Sequence, residues 1–295
     1  MLLRLQHEGW SVTVLDNLVQ GKRENLPKSV RFVEGDVRDS AAVAEAMKGC
    51  HVAFHIAANF ANQRSIDGPQ EDLEINGQGT LNVLQEALRA KVERLVYASS
   101  SCVYGPFSGV LVENLPKHPE TPYAITKLLG EYYCEFFCKH YGLKTVSLRL
   151  SNVYGPYDFP GKYRNVIPNL MRLAKDEKPL SVMGDGSDSR DFTFVEDAVE
   201  ALIRAASRKH VVGEAVNVGS GNEVKINDLA QVILKVTGSK AGVVYRERRS
   251  WDHIRRRVLS TKRCEELLGF KPSTPLNDGL RRTWAWFEKN NPAPI

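Results

Sequence analysis

Apolar and polar positions fall into two alternating rhythms along the first half of this chain. Short apolar runs at residues 11–15, 30–34, 52–56, 94–99 and 145–150 predict buried strands. Residues 1–9 read as the end of a helix closed by Gly9, and helical spacing follows at 41–47, 73–90 and 122–140. Strand and helix in alternation imply a parallel sheet with right-handed crossovers. Ligands of such a sheet sit beyond the carboxyl ends of its strands. After Pro156 the rhythm changes, and loop residues become frequent up to residue 189. Helices are expected at 165–176, 193–207, 226–238 and 276–289, a short strand at 180–183, and a strand at 215–218 that returns to the main sheet. The chain is therefore read as an α/β protein. Residues 1–156, with about 190–220 returning to them, form a nucleotide-binding domain, and 157–295 form mainly a smaller substrate-binding domain.

Composition narrows the class. At 295 residues, 42% hydrophobic and 25% charged, the chain can bury a full core. Its net charge of +5 contains no long basic run, which suits a small anionic ligand better than a nucleic acid. Five cysteines without a regular framework point to a reducing cytoplasm. Cys134 and Cys138 lie four apart on a predicted helix with no further ligand near them, so they read as small buried side chains and no metal is expected. No apolar run approaches membrane-spanning length. Residues 1–10 are amphipathic and carry Glu8, unlike a signal peptide.

Two stretches carry candidate chemistry. Residues 96–105, Val-Tyr-Ala-Ser-Ser-Ser-Cys-Val-Tyr-Gly, read as a buried strand running into a serine-rich turn. Residues 121–127, Thr-Pro-Tyr-Ala-Ile-Thr-Lys, read as a helix start, with Thr121 as cap and Pro122 in the first turn. Tyr123 and Lys127 then share a helix face. An ammonium beside a phenol favours the phenolate, as does the positive end of the helix dipole. Bringing a tyrosine pKa from about 10 to near 7 takes roughly 4 kcal/mol. Such a phenolate could take a proton from a sugar hydroxyl, while a serine hydroxyl holds the same oxygen. Asp16, at the end of the 11–15 strand, is placed to bond ribose hydroxyls and to disfavour a 2′-phosphate, which argues for NAD.

With these motifs the whole chain resembles the extended short-chain dehydrogenase/reductases, in their nucleotide-sugar epimerase/dehydratase branch. The resemblance rests on Asp16-Asn17, Gly35-Asp36-Val37, His55-Ile56-Ala57-Ala58, Asn76 with Gly79-Thr80, the serine turn, Tyr123 with Lys127, Asn152-Val153-Tyr154-Gly155-Pro156, Gly184-Asp185-Gly186 and Arg190-Asp191-Phe192. It implies a Rossmann-type doubly wound sheet and a bound NAD. Asp16, Asn17, Asp36, Val37, Ala57, Ala58, Asn76, Ser99, Tyr123 and Lys127 would line that cofactor. It implies Ser100, Tyr123 and Lys127 as the catalytic set. For a nucleotide-diphosphate sugar it implies Ser100, Cys102, Asn152, Val166, Val182, Met183, Arg190 and Arg255, with Arg256 an adjacent alternative to Arg255. Most of the arginines between 246 and 257 read as a solvated face.

Dehydratases and decarboxylases of the branch usually carry an acid just after the active serine or threonine. Here Ser101 and Cys102 follow Ser100, which points to epimerisation, most simply at C4 through a 4-keto sugar, as in the UDP-glucose 4-epimerases. Cys102 also matches the acid/base cysteine of GDP-mannose 3,5-epimerases, with Lys162 near the partner lysine. A non-catalytic nucleotide-sugar or NAD-binding protein is the third reading. It is motivated by the glycine-rich first turn of the family, which does not occur before Asp16. Without that turn the chain as written is expected to bind NAD poorly and to be unstable. By resemblance the helices at 73–90 and 122–140 should pair with their mates as the four-helix bundle of a homodimer.

Overall fold

The computed structural model describes residues 1–294 and divides into two compact units. In chain order the elements are α1 (Leu2–His7), β1 (Thr13–Asp16), β2 (Arg31–Glu34), α2 (Ser40–Met47), β3 (Val52–His55), α3 (Asn62–Asp67), α4 (Pro69–Asp72), a π-helical turn (Leu73–Gln78), α5 (Gly79–Arg89), β4 (Arg94–Ser100), α6 (Pro122–Tyr141) and β5 (Thr145–Leu150). There follow β6 (Asn152–Tyr154), α7 (Val166–Lys175), β7 (Leu180–Met183), β8 (Ser189–Arg190), β9 (Phe192–Phe194), α8 (Val195–Ser207) and β10 (Ala215–Val218). The last are β11 (Val224–Lys225), α9 (Ile226–Thr237), β12 (Val243–Arg246), β13 (Arg256–Arg257), α10 (Lys262–Leu268) and α11 (Leu276–Asn290).

The first unit comprises Met1–Ser100, Pro119–Leu148 and Leu202–Val216. Its parallel sheet runs in the order β10-β5-β4-β3. All seven residues of β4 are buried, which is why that strand reads as an unbroken apolar run. β1 pairs in parallel with β2 as a separate ribbon. Among the described residues β1 has only β2 for a neighbour, and β3 has only β4. Helix α6 begins where the sequence predicts: the Thr121 side chain accepts from the Ala124 amide, and Gly142 ends the helix in the left-handed region. Gly130 lets α6 lie down on β4, since a Cβ there would come within 2.3 Å of the Tyr97 hydroxyl. The buried Arg94 donates to the carbonyls of Ala205 and Arg208, both at 2.9 Å, and so closes the C-terminal end of α8.

One predicted helix departs from regularity. Residues 73–90 were expected as a single α-helix; instead Leu73–Gln78 widen into a π-helical turn between α4 and α5. Such turns recur at functional sites, and this one carries Asn76.

The second unit comprises Ser101–His118, Arg149–Ala201 and the chain from Asn217 onward. It holds three small sheets, β6 with β9, β7 with β12, and β11-β8-β13. Helices α7, α9 and α11 bury Ile167, Leu170, Met171, Leu229, Ile233 and Phe287 in its core. The sequence boundary at Pro156 thus differs from the structural division, which gives 101–118 and 149–156 to the second unit. β4 ends at Ser100 and β5 at Leu150, and the motif residues that follow them belong to the second unit. Among the described residues no helix is long and apolar enough to cross a membrane.

Candidate active site

The first unit holds the tyrosine–lysine pair. Capping by Thr121 puts Tyr123 in the first turn of α6, and Lys127 follows one turn later. Both are buried, with Lys127 only 3% exposed. The Lys127 ammonium donates to the Ala98 carbonyl at 2.8 Å, so it is anchored to β4 just before the serines. It lies 5.8 Å from the centre of the Tyr123 ring and 5.0 Å from that of Tyr97. Burial pushes its pKa down from 10.5 to about 8, and the Asp72 carboxylate opposes that fall. His55, also buried, is pushed down to about 3, first by burial and then by the Lys127 charge, so its ring is neutral. Ser100 closes β4 and is 8% exposed. The hydroxyl of Ser99, expected at the cofactor, donates its proton to Glu131 of α6.

Asp72 was not foreseen from the sequence. It is fully buried and accepts from Asn76 Nδ2 at 2.9 Å and from Thr126 Oγ1 at 2.6 Å. Asn76 in turn accepts from the Asn59 amide at 2.7 Å and donates to the Asn59 carbonyl at 3.2 Å. The π-helical turn, α6 and the loop after β3 are thereby tied into one buried network. One signal was present: Asp72 precedes Asn76 by four residues, a spacing that puts both on one helix face.

The residues expected to hold the dinucleotide line the carboxyl ends of β1, β2 and β3. Asp16 accepts from the Leu18 amide at 2.7 Å, and Gly21 is required beside it because a Cβ there would lie 2.9 Å from the carboxylate. Asn17 donates to Asp36 at 2.8 Å, and the Arg38 guanidinium grips the same carboxylate and holds its pKa down at about 2. Val37 is buried, with its carbonyl accepting from Asn82 at 3.0 Å. Ala57 and Ala58 offer little side-chain bulk beyond β3. Immediately after them Asn59 is 2% exposed, yet neither its Oδ1 nor its Nδ2 has a hydrogen-bond partner among the described residues. A buried amide left unmade costs about 1–3 kcal/mol. An orphaned amide behind two small side chains, with an acid at the end of β1, is what a dinucleotide bearing amide, ribose and phosphate groups would satisfy. These residues fit NAD.

The residues expected at the nucleotide-sugar lie in the second unit, Ser100 apart. Arg190 is folded onto the carbonyls of Ser189 at 2.9 Å and Ile254 at 3.0 Å, and lies 3.7 Å from Asp252. Asn152 donates to the Asp191 carbonyl at 3.0 Å. Val166 is half-buried at the start of α7 and Met183 is exposed at the end of β7. Val182 departs from expectation: strand alternation turns it into the core, where it is 1% exposed, and it cannot wall a base. Arg255 is largely exposed and lies 3.7 Å from Asp188, which Arg248 also engages. Lys162, near the position of a 3,5-epimerase lysine, is exposed and bonds the Tyr163 hydroxyl at 2.9 Å. Cys102 instead meets Arg257, whose Nη1 donates to its sulfur at 3.2 Å. Arg257 was grouped with a solvated face, but it is 8% exposed.

Known proteins are similar to this chain in sequence and fold. The chain is 33% identical over 292 residues to a putative UDP-glucose 4-epimerase of Methanocaldococcus jannaschii, covering 98% of this chain and 94% of that one. Other relatives of like identity are named as a UDP-N-acetyl-alpha-D-glucosaminuronate decarboxylase of Bacillus cytotoxicus and a dTDP-glucose 4,6-dehydratase of Streptomyces niveus. Its fold is similar to an epimerase of Methanothermobacter thermautotrophicus, with TM-score 0.95 and 42% identity over 99% of this chain and 90% of that one. It is also similar to the Thermus thermophilus UDP-glucose 4-epimerase complexed with NAD, with TM-score 0.92 and 32% identity over 98% and 94% of the two chains. Residues 1–219 match the family described as NAD dependent epimerase/dehydratase, and the chain belongs to that family of nucleotide-sugar enzymes.

Proposed function

We propose that the protein epimerises a UDP-sugar at C4 by transient oxidation to the 4-keto sugar. The observation that carries this reading is the buried Tyr123–Lys127 pair, with the ammonium fixed to the Ala98 carbonyl one strand-end away from Ser100. In a dry site a fixed positive charge stabilises a neighbouring phenolate more than water would. Tyr123 takes the proton of the sugar 4-hydroxyl, and Ser100 donates a hydrogen bond to the same oxygen. Bound NAD supplies a reversible acceptor for the C4 hydrogen. Asp16 would hold the adenosine ribose of NAD, and Asn59, clamped by Asn76, would meet a polar group of it. When the keto sugar has turned over and is reduced on its other face, Tyr123 returns the proton to O4.

One feature favours epimerisation over the elimination or decarboxylation of other relatives. No carboxylate follows Ser100 in the turn 101–104, so an acid to drive loss of water from the sugar is not supplied there. The test is incubation with UDP-glucose and with UDP-galactose, followed by chromatography. Interconversion of the two, with no 4-keto-6-deoxy product and no carbon dioxide, is expected. Accumulation of a dehydrated or decarboxylated product would overturn the reading.

We further propose a homodimer through α6. Ile125, Tyr132 and Phe136 are 52%, 58% and 42% exposed, and their spacing of seven and four puts them on one helix face. A second copy presenting the same stripe would cover it in a two-fold interface.

A further inference from the structure

Asp72 is a buried carboxylate to which the reaction just described gives no task. It ends α4 where the π-helical turn begins, and it is 0% exposed. Both of its oxygens are bonded, but by neutral groups: Oδ1 accepts from Asn76 Nδ2 at 2.9 Å and Oδ2 from Thr126 Oγ1 at 2.6 Å. Such bonds hold a carboxylate in place without cancelling its charge, and a buried charge with no counter-charge is strongly disfavoured. The adjoining Glu71 is no help: it is a like charge, and it lies 3.5 Å from Arg64.

Lys127 is in the converse position. Its ammonium is buried, and its hydrogen bond runs to a neutral acceptor, the Ala98 carbonyl at 2.8 Å. The groups around it offer little negative charge. His55 is neutral, and burial pushes the Tyr97 phenol and the Cys134 thiol up, so both keep their protons. Glu131, one turn further along α6, accepts from the Ser99 hydroxyl, and its charge is felt at Tyr97 and Cys134. Tyr123 is the phenol on which the ammonium acts. The Asp72 charge is the first to oppose burial at Lys127, and the Lys127 charge opposes burial at Asp72. Both residues belong to the first compact unit. Thr126, adjacent to Lys127 in α6, is bonded to Asp72, so the end of α4 and the start of α6 are fixed to each other. At low dielectric, opposite charges held in this way attract well beyond hydrogen-bond contact.

We propose that Asp72 is the counter-charge that keeps Lys127 an ammonium in the folded chain, and that it thereby sets the alkaline limit of activity. This rests on the reading of Tyr123 and Lys127 as the working pair of a UDP-sugar 4-epimerase. Asp72 meets no reacting atom and acts through Lys127. Without its charge the ammonium gives up its proton at lower pH, and Tyr123 loses the neighbour that favours its phenolate.

The test compares the full chain with D72N, E131Q and K127M. D72N is matched in shape and can keep both bonds, its carbonyl accepting from Asn76 and its amide donating to Thr126, so it removes the charge and little else. In protein carrying carbon-13 at the lysine Cε, the resonance missing from K127M is that of Lys127. Its titration midpoint is expected to lie about one pH unit or more lower in D72N than in the parent, and to be alike in E131Q and the parent. The alkaline fall in kcat/KM for UDP-galactose should move down with it in D72N. The coupling must read equally from the other side: with carbon-13 at the aspartate Cγ, one carboxyl should titrate higher in K127M than in the parent by a similar amount, whether or not D72N folds. An unmoved Lys127 midpoint in D72N, an equal shift in E131Q, or no aspartate that moves in K127M would each overturn the proposal. Lower turnover of D72N at every pH, with the alkaline fall unmoved, would also overturn it, by making Asp72 a structural part only. Shifted midpoints in a parent that turns over no UDP-sugar at any pH would leave the coupling standing and overturn the epimerase reading.

Discussion

Replacing Lys127 with Met removes a charge that the fold pays to bury, and the cost can be read through its pH dependence. Lys127 is fixed at about 8 in the folded chain against an ordinary 10.5. At 1.36 kcal/mol per unit, that difference is worth about 3 kcal/mol. The folded state holds this proton less tightly than the unfolded chain, so the penalty is complete below pH 8. Between pH 8 and 10.5 the folded chain releases the proton first, and stability rises with pH. Above 10.5 the penalty is gone. Lys127→Met has no such proton to lose. Its stability relative to the parent should therefore fall by about 2.5 kcal/mol between pH 7 and pH 10. Of the other buried groups nearby, His55 is already neutral at about 3 and the Cys134 thiol is pushed up to about 12; Tyr123→Phe is carried in both proteins, so that the proposed base adds no titration of its own. Urea unfolding of both proteins at the two pH values measures the quantity. Parallel stability curves would refute the reasoning, because they would mean that Lys127 is as well solvated folded as unfolded. The charge that costs stability is also the charge proposed to make Tyr123 a base, so Lys127→Met with Tyr123 intact should have lost its activity.

Tyr123→Phe keeps the ring and deletes the ionisable hydroxyl, so turnover should drop by a factor of at least about 10² while UDP-sugar affinity by calorimetry stays within about twofold; near-parental turnover would remove Tyr123 from the mechanism. Asn76→Ala removes one of the two donors to Asp72 and both bonds to the Asn59 backbone in a buried place and should cost about 2–4 kcal/mol by urea unfolding; a loss under 1 kcal/mol would show that the network is not structural. Phe136→Glu places a charge in the exposed stripe of α6, and should turn a dimer into a monomer by sedimentation at micromolar concentration; a parent chain that already sediments as a monomer would refute the dimer.

How legible all this was depends on what set each feature. The strands of the main sheet were legible because burial on both faces leaves no polar residue to interrupt them, as in β4. The tyrosine–lysine pair was legible because capping by Thr121 and a four-residue spacing are local properties. Asn59 and Arg257 were not, because what makes them notable is a buried side-chain atom without a partner among the described residues, and partners are settled by distant elements. Arg257 sits in a run of arginines whose neighbours are ion-paired or exposed, and only its pairing opposite Arg190 separates it from them. Val182 was misplaced for a similar reason: in a four-residue strand, alternation fixes two faces but not which one meets the core.

The π-helical turn at Leu73–Gln78 bears on how this segment can change in length. A wide turn holds one residue more than the regular helix around it, so loss of a single residue there could be absorbed by closing the helix to normal pitch. The chain would keep its hydrophobic face on either side and should still fold. But each residue advances a helix by about 100°, so a deletion between Leu73 and Ile75 would swing Asn76 away from the Asn59 backbone. Insertions and deletions elsewhere on the surface tend to spare chemistry and strain folding; here the order is reversed, and a shortened helix would give a sound fold with its clamp on the loop after β3 undone.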